Sequence, residues 1–216
     1  VNKFEEVKMS KSQPASATRH NMKTIQPAWV RICHWFNALA VILMILSGWR
    51  IYDASAVFKG LFIPARVTLG GWLGGALQWH FAAMWLLVFN GRFYLAMNLL
   101  TGRIRGKFFP LGAHVILHDL REALKGHLSH ADPSRYNAVQ KFAYLLAMVN
   151  IAVLVLSGLA IWKSVQLWPL RELFGGYESA RVVHFGAMST ICAFIVVHVT
   201  MVALVPRSLL TMIRGR

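Results

Sequence analysis

RVVHFGAMSTICAFIVVHVT, residues 181–200, carries two histidines fourteen positions apart inside one apolar run. On an α-helix that interval is a rise of roughly 21 Å with an angular drift of only about 40°. His184 and His198 therefore share one helix face, one near each side of a hydrocarbon core of about 30 Å. Ionisable side chains at membrane depth are costly and mark functional positions.

Working outward, three further runs are long enough to span a bilayer, at about 29–52, 71–100 and 139–162, and the run holding His184 and His198 extends over about 180–205 up to Pro206. The chain is 56% hydrophobic and 14% charged, a balance wrong for a soluble surface. The expected fold is an all-α membrane protein, a bundle of four transmembrane helices. Residues 113–128, AHVILHDLREALKGHL, carry an apolar helical stripe and are expected to lie on the inner surface as an amphipathic helix between helices two and three. Residues 1–27 are polar, with no apolar core of a signal peptide, and read as a flexible cytoplasmic tail; residues 28–216 form the membrane domain.

Charge gives the orientation. With the N-terminus inside, the N-terminal stretch through Arg31, the segment from Arg92 to Lys141 between helices two and three, and the C-terminus collect seventeen of the twenty-three Lys and Arg, and six remain outside. The positive-inside bias then places both termini in the cytoplasm. The same bias accounts for the formal charge of +15 without nucleic acid as a partner. None of the eight carboxylates lies inside an apolar run, which argues against a transporter built on buried acids. Cys33 and Cys192 sit in different spans, and no C-x-x-C-H is present for covalent haem attachment.

The topology pairs the membrane histidines by depth. His34 and His198 fall near the inner ends of helices one and four, and His80 and His184 in the outer halves of helices two and four. Each depth offers two imidazoles, too few for a structural zinc site. Haem brings four equatorial nitrogens and needs two axial ligands from facing helices, so two bis-histidine haems use all four residues. Gly48, Gly158 and Gly186 leave room for close helix approach or a porphyrin face. The plain alternative for any one of these histidines is a hydrogen bond to a neighbouring helix, and His34, near the interface, is most open to it. His114 and His118 have metal-binding i, i+4 spacing, but with His127 and His130 they lie on a basic segment expected to face headgroups.

Several of these residues fall into recognisable patterns. R31-I-C-H34-W35 followed by S47-G48, H80 with N90-G91-x-x-Y94, Y136-N137-A-V-Q140-K141 leading to S157-G158, R181-V-V-H184-F185 and H198-V together resemble the prokaryotic membrane cytochrome b subunits. Such subunits anchor respiratory enzymes of the formate dehydrogenase, thiosulfate reductase and nickel-iron hydrogenase type. The resemblance covers about residues 29–207 and implies haem ligands at His34, His80, His184 and His198, the same two pairs. It also implies an electron-transfer subunit of a quinone-linked oxidoreductase in the bacterial cytoplasmic membrane. Two haems b would connect a quinone, menaquinone or ubiquinone, near the inner haem with a periplasmic redox partner. The Y-N-x-x-Q-K stretch looks most like branches whose partner is a molybdenum-containing oxidoreductase. Arg92 departs from the family pattern.

Tyr136, Asn137, Gln140 and Lys141 open helix three near the inner pair, where they could bind a quinone carbonyl; equally, Asn137 could cap the helix and Lys141 snorkel to the interface. Arg31 and Arg181 lie at propionate depth, where interface anchoring alone would also place arginine. Two other functions stay open: a stand-alone cytochrome b exchanging electrons between quinone and a small species such as superoxide, and a haem-free transporter or channel relaying protons through the histidines. Membrane lipid surrounds any of these, and oligomers are compatible with all.

Overall fold

The computed structural model describes residues 26–102, Arg121 and residues 138–215. All regular structure among them is helical. Four long helices match the four apolar runs: α1 (Ala28–Ala54), α2 (Leu73–Leu100), α3 (Ala138–Trp162) and α5 (Tyr177–Leu204). Between α3 and α5 lies the short α4 (Trp168–Leu173), and α6 (Pro206–Arg214) closes the chain. At 25 to 28 residues, each long helix rises about 37–42 Å, enough to cross the hydrocarbon core with some tilt. Their flanks carry large apolar side chains facing outward, such as Leu39, Ile42, Phe89 and Val196. In water those surfaces would be untenable; in lipid they are the ordinary solvent-facing side.

Proline sets two boundaries. Pro27 precedes the first turn of α1. Pro206 has no N–H to continue the ladder of α5, so α5 ends at Leu204 and Pro206 becomes the first residue of α6. Gly215 then stops α6 in the left-handed region at φ 82°, its N–H bonding Thr211 O at 3.0 Å.

The long helices pack as two hairpins, α1 with α2 and α3 with α5. Each hairpin is pinned by a half-buried asparagine amide. Asn90 Nδ2 on α2 donates to Cys33 O at 2.8 Å and to Asn37 Oδ1 at 2.6 Å, both on α1. Asn150 Nδ2 on α3 donates to Ala187 O on α5 at 2.9 Å. Such bonds hold membrane helices together where apolar burial drives nothing. Close backbone packing is concentrated within the hairpins. Rings make much of the contact between them: His34 with His198, His80 with His184, Tyr52 stacked on Phe185 at 4.6 Å, and Phe81 against Trp162 at 5.0 Å.

Both ends of the membrane domain meet at one side, here the terminal end, where Gln26 N bonds Gly215 O at 3.4 Å. At the opposite, far end the connection after α1 folds back onto the bundle. Leu69 N bonds Leu46 O at 3.0 Å and Ile63 N bonds Asp53 Oδ1 at 3.0 Å. The expected amphipathic helix at 113–128 and the tail at 1–27 lie outside the described residues, apart from Gln26, Pro27 and Arg121, the last helical and exposed.

Candidate functional site

Helix register puts the four histidines at two levels. His34 is six residues into α1 and His198 six residues from the end of α5, both about 9 Å inside the terminal end. His80 and His184 each stand seven residues into their helices, α2 and α5, about 10 Å inside the far end. The rings meet in those pairs. The centres of His34 and His198 lie 6.1 Å apart with planes at 61°, and those of His80 and His184 lie 6.5 Å apart with planes at 62°.

That separation suits a shared metal. A metal–imidazole bond of about 2 Å on each side, plus about 1 Å from each nitrogen to its ring centre, places two imidazoles on one iron roughly 6 Å apart. Among the described residues no cluster of three or more His, Cys, Asp or Glu converges, so neither pair has the protein ligands a bare-ion site would use. Haem fits this donor set because it supplies the remaining four nitrogens. Beyond the far-end pair, a Cβ on Gly91 would meet nothing within 4 Å, whereas Gly186, two residues from His184, is exposed on the opposite face of α5. Gly91 follows His80 by eleven residues, three turns along the same face of α2, which sets it about 16 Å further toward the terminal end.

Two residues behind the far-end pair were not singled out as site residues in the sequence. Ser47 Oγ on α1 lies 3.1 Å from His80 Nδ1, and Ser157 Oγ on α3 lies 2.9 Å from His184 Nδ1. Each serine precedes a glycine that lets the imidazole lie against the helix: a Cβ on Gly48 would sit 3.5 Å from His80 Cε1, and one on Gly158 3.2 Å from His184 Cε1. The triplet Leu-Ser-Gly at 46–48 and again at 156–158 was the visible signal. No repeat stands out in the sequence as a whole, yet each hairpin sets a Ser-Gly on its first helix against the far-end histidine of its second.

The two arginines sit at helix C-termini. Arg31 Nη1 donates to Ile213 O in the last turn of α6 at 2.5 Å, and Trp35 Nε1 reaches Met212 O at 3.4 Å. Among the described residues Arg31 Nε is buried without a hydrogen-bond partner. Arg181 bonds Ser55 O and Ser55 Oγ at the C-cap of α1, and its Nη1 pairs with Glu178 at 2.8 Å. Positive charge at these positions satisfies orphan carbonyls and opposes the helix dipole. Gln140 and Lys141 lie in the first turn of α3, the former exposed, whereas Tyr136 and Asn137 lie outside the described residues. His34 also meets Trp35 edge-on at 5.3 Å, and His198 stacks on Phe194 at 5.7 Å.

The chain is 62% identical to the putative protein-methionine-sulfoxide reductase subunit YedZ1 of Azospira oryzae over 191 residues, 88% of this chain and 96% of that protein. Residues 25–215 match the family described as prokaryotic cytochrome b561, a span holding all four long helices and all four membrane histidines. The chain belongs to that family, integral membrane cytochromes that carry electrons on haem b.

Proposed function

We propose that the protein passes electrons across the cytoplasmic membrane from quinol at the terminal end to a periplasmic redox enzyme at the far end. His34 and His198 would hold one haem b, and His80 and His184 a second. The observation that carries this reading is the meeting of two histidine pairs at two depths, joined through a single helix, α5. The terminal end is assigned to the cytoplasm by the Lys and Arg bias. Haem b would supply one-electron ferric–ferrous exchange, held by the imidazoles of His34 and His198 and of His80 and His184.

The residues of the chain account for the rest. The hairpins hold the imidazoles and exclude water, and the asparagine bonds fix the rotation of each helix. Gln140 and Lys141, with Tyr136 and Asn137, are the proposed quinone contacts. Arg31 keeps one unpartnered donor, Nε, for a propionate at the terminal end. Arg181 would serve the far end only by sharing donors already bonded to Ser55 and Glu178.

The partner is proposed to be a periplasmic protein-methionine-sulfoxide reductase, in keeping with the name of the Azospira oryzae relative, and to contain molybdenum. Each turnover would take two electrons and two protons to convert a sulfoxide to a thioether and water, the electrons of one quinol. The word "subunit" in that name favours a partnered cytochrome over one working alone with superoxide. Membership of a haem family favours electron transfer over a haem-free histidine relay.

The test uses the intact chain in lipid nanodiscs. A soluble quinol should reduce its haem, and addition of the periplasmic reductase with an oxidised methionine protein should reoxidise it. No reduction by any quinol, or reoxidation that ignores the reductase, would overturn the assignment.

A further inference from the structure

Each far-end histidine has a hydrogen bond that ligation alone does not call for. Ser47 Oγ, 3.1 Å from His80 Nδ1, is also 2.7 Å from Leu43 O. Ser157 Oγ, 2.9 Å from His184 Nδ1, is also 2.6 Å from Val153 O. A carbonyl only accepts, so the single hydroxyl proton of each serine is committed to its own helix, four residues back. The contact with histidine then has one possible sense: Nδ1–H donates and the serine oxygen accepts. Both serines are 0% exposed, so water does not take over either role. A neutral imidazole carries one ring proton. With that proton on Nδ1, the lone pair is left on Nε2.

We propose that Ser47 and Ser157 are positioning residues that lock His80 and His184 in the Nδ1–H tautomer and present both Nε2 lone pairs to one haem iron. By accepting from the ring, they also increase electron donation by both ligands. This rests on His80 and His184 being the far-end ligand pair. Among the described residues neither His34 nor His198 has a serine contact of this kind, so the two sites are unequal. Stronger imidazole donation favours ferric over ferrous iron, so the serines lower the reduction potential of the far-end site.

The test is a spectroscopic redox titration of the purified, haem-loaded full chain, with electron paramagnetic resonance of the oxidised state. Ser47→Ala and Ser157→Ala should each raise the potential of the far-end component, together by up to about tenfold in the ferric–ferrous equilibrium, or about 59 mV for one electron. The terminal-end component should stay put. Ser47→Thr and Ser157→Thr, which keep the hydroxyl, should restore the wild-type potential. Loss of the far-end haem in an alanine variant, with retention in its threonine counterpart, supports the same role; loss in both overturns it. Wild-type titration of both alanine variants, while His80→Ala removes the far-end component, overturns the tautomer lock and spares the ligand assignment. Both components surviving in His80→Ala would overturn the ligand assignment itself.

Discussion

Gly48 and Gly158 occupy matching places in the two hairpins, yet the same substitution should affect them differently. Alanine at 158 puts a methyl 3.2 Å from His184 Cε1 and 3.6 Å from Nδ1. Carbon pairs rest at about 3.5–4.0 Å, so the ring must retreat by roughly 0.3–0.8 Å. That ring is bonded at 2.9 Å to Ser157, the adjacent residue on the same helix, so retreat stretches the bond toward or past its usual limit of about 3.2 Å. It also displaces the ligand nitrogen by an amount comparable with the ~0.5 Å tolerance of a preorganised site. Alanine at 48 meets His80 Cε1 at 3.5 Å, an ordinary contact. Mid-helix glycine is itself destabilising relative to alanine by about 0.5–1 kcal/mol, which favours both substitutions equally. Gly48→Ala should therefore keep full haem content and melt at or above the wild-type temperature. Gly158→Ala should lose part of the far-end haem, or release it at lower temperature, and leave the terminal-end component intact. Haem per chain and thermal haem release, followed at the Soret band, check both. Equal behaviour of the two variants, or greater damage from Gly48→Ala, would refute the reasoning.

Other substitutions probe the frame around the site. Asn90→Leu removes two interhelical bonds and should destabilise the α1–α2 hairpin by about 0.6–1.7 kcal/mol, measured by unfolding in mixed micelles. Arg181→Ala uncovers the C-cap of α1 and should cost about 0.3–1 kcal/mol, with little owed to Glu178, whose side chain is 74% exposed. Gly215→Ala forces a Cβ into the left-handed region, 3.1 Å from Gln26 O, and should cost about 1–3 kcal/mol locally. It should appear as faster proteolysis of α6, with the haem spectrum unchanged.

Much of this architecture was legible in the sequence because lipid imposes simple rules. A run of apolar residues long enough to span must be a helix, and four such runs fix the direction of each. Depth then pairs His34 with His198 and His80 with His184, since chain direction alone sets those levels. What stayed hidden depends on rotation about the helix axis, which hydropathy does not report when a helix is apolar all round. Ser47 and Ser157 are visible in the sequence only as members of Ser-Gly pairs; their place beside His80 and His184 depends on how α1 and α3 are turned. Arg31 and Arg181 were legible as arginines near helix ends, but their carbonyl partners, Ile213 and Ser55, are distant in sequence. The short α6, flanked by Pro206 and Gly215, was not among the elements expected from the sequence, although Leu209, Leu210, Met212 and Ile213 trace its apolar stripe.

The central claim is two haems on two histidine pairs, and pyridine haemochrome quantification per purified chain tests it most directly. The account predicts two haems b in the wild type, one after His80→Ala or His34→Ala, and none after His184→Ala combined with His198→Ala. A single haem in the wild type would contradict it, as would loss of the same spectral component from His34→Ala and His80→Ala.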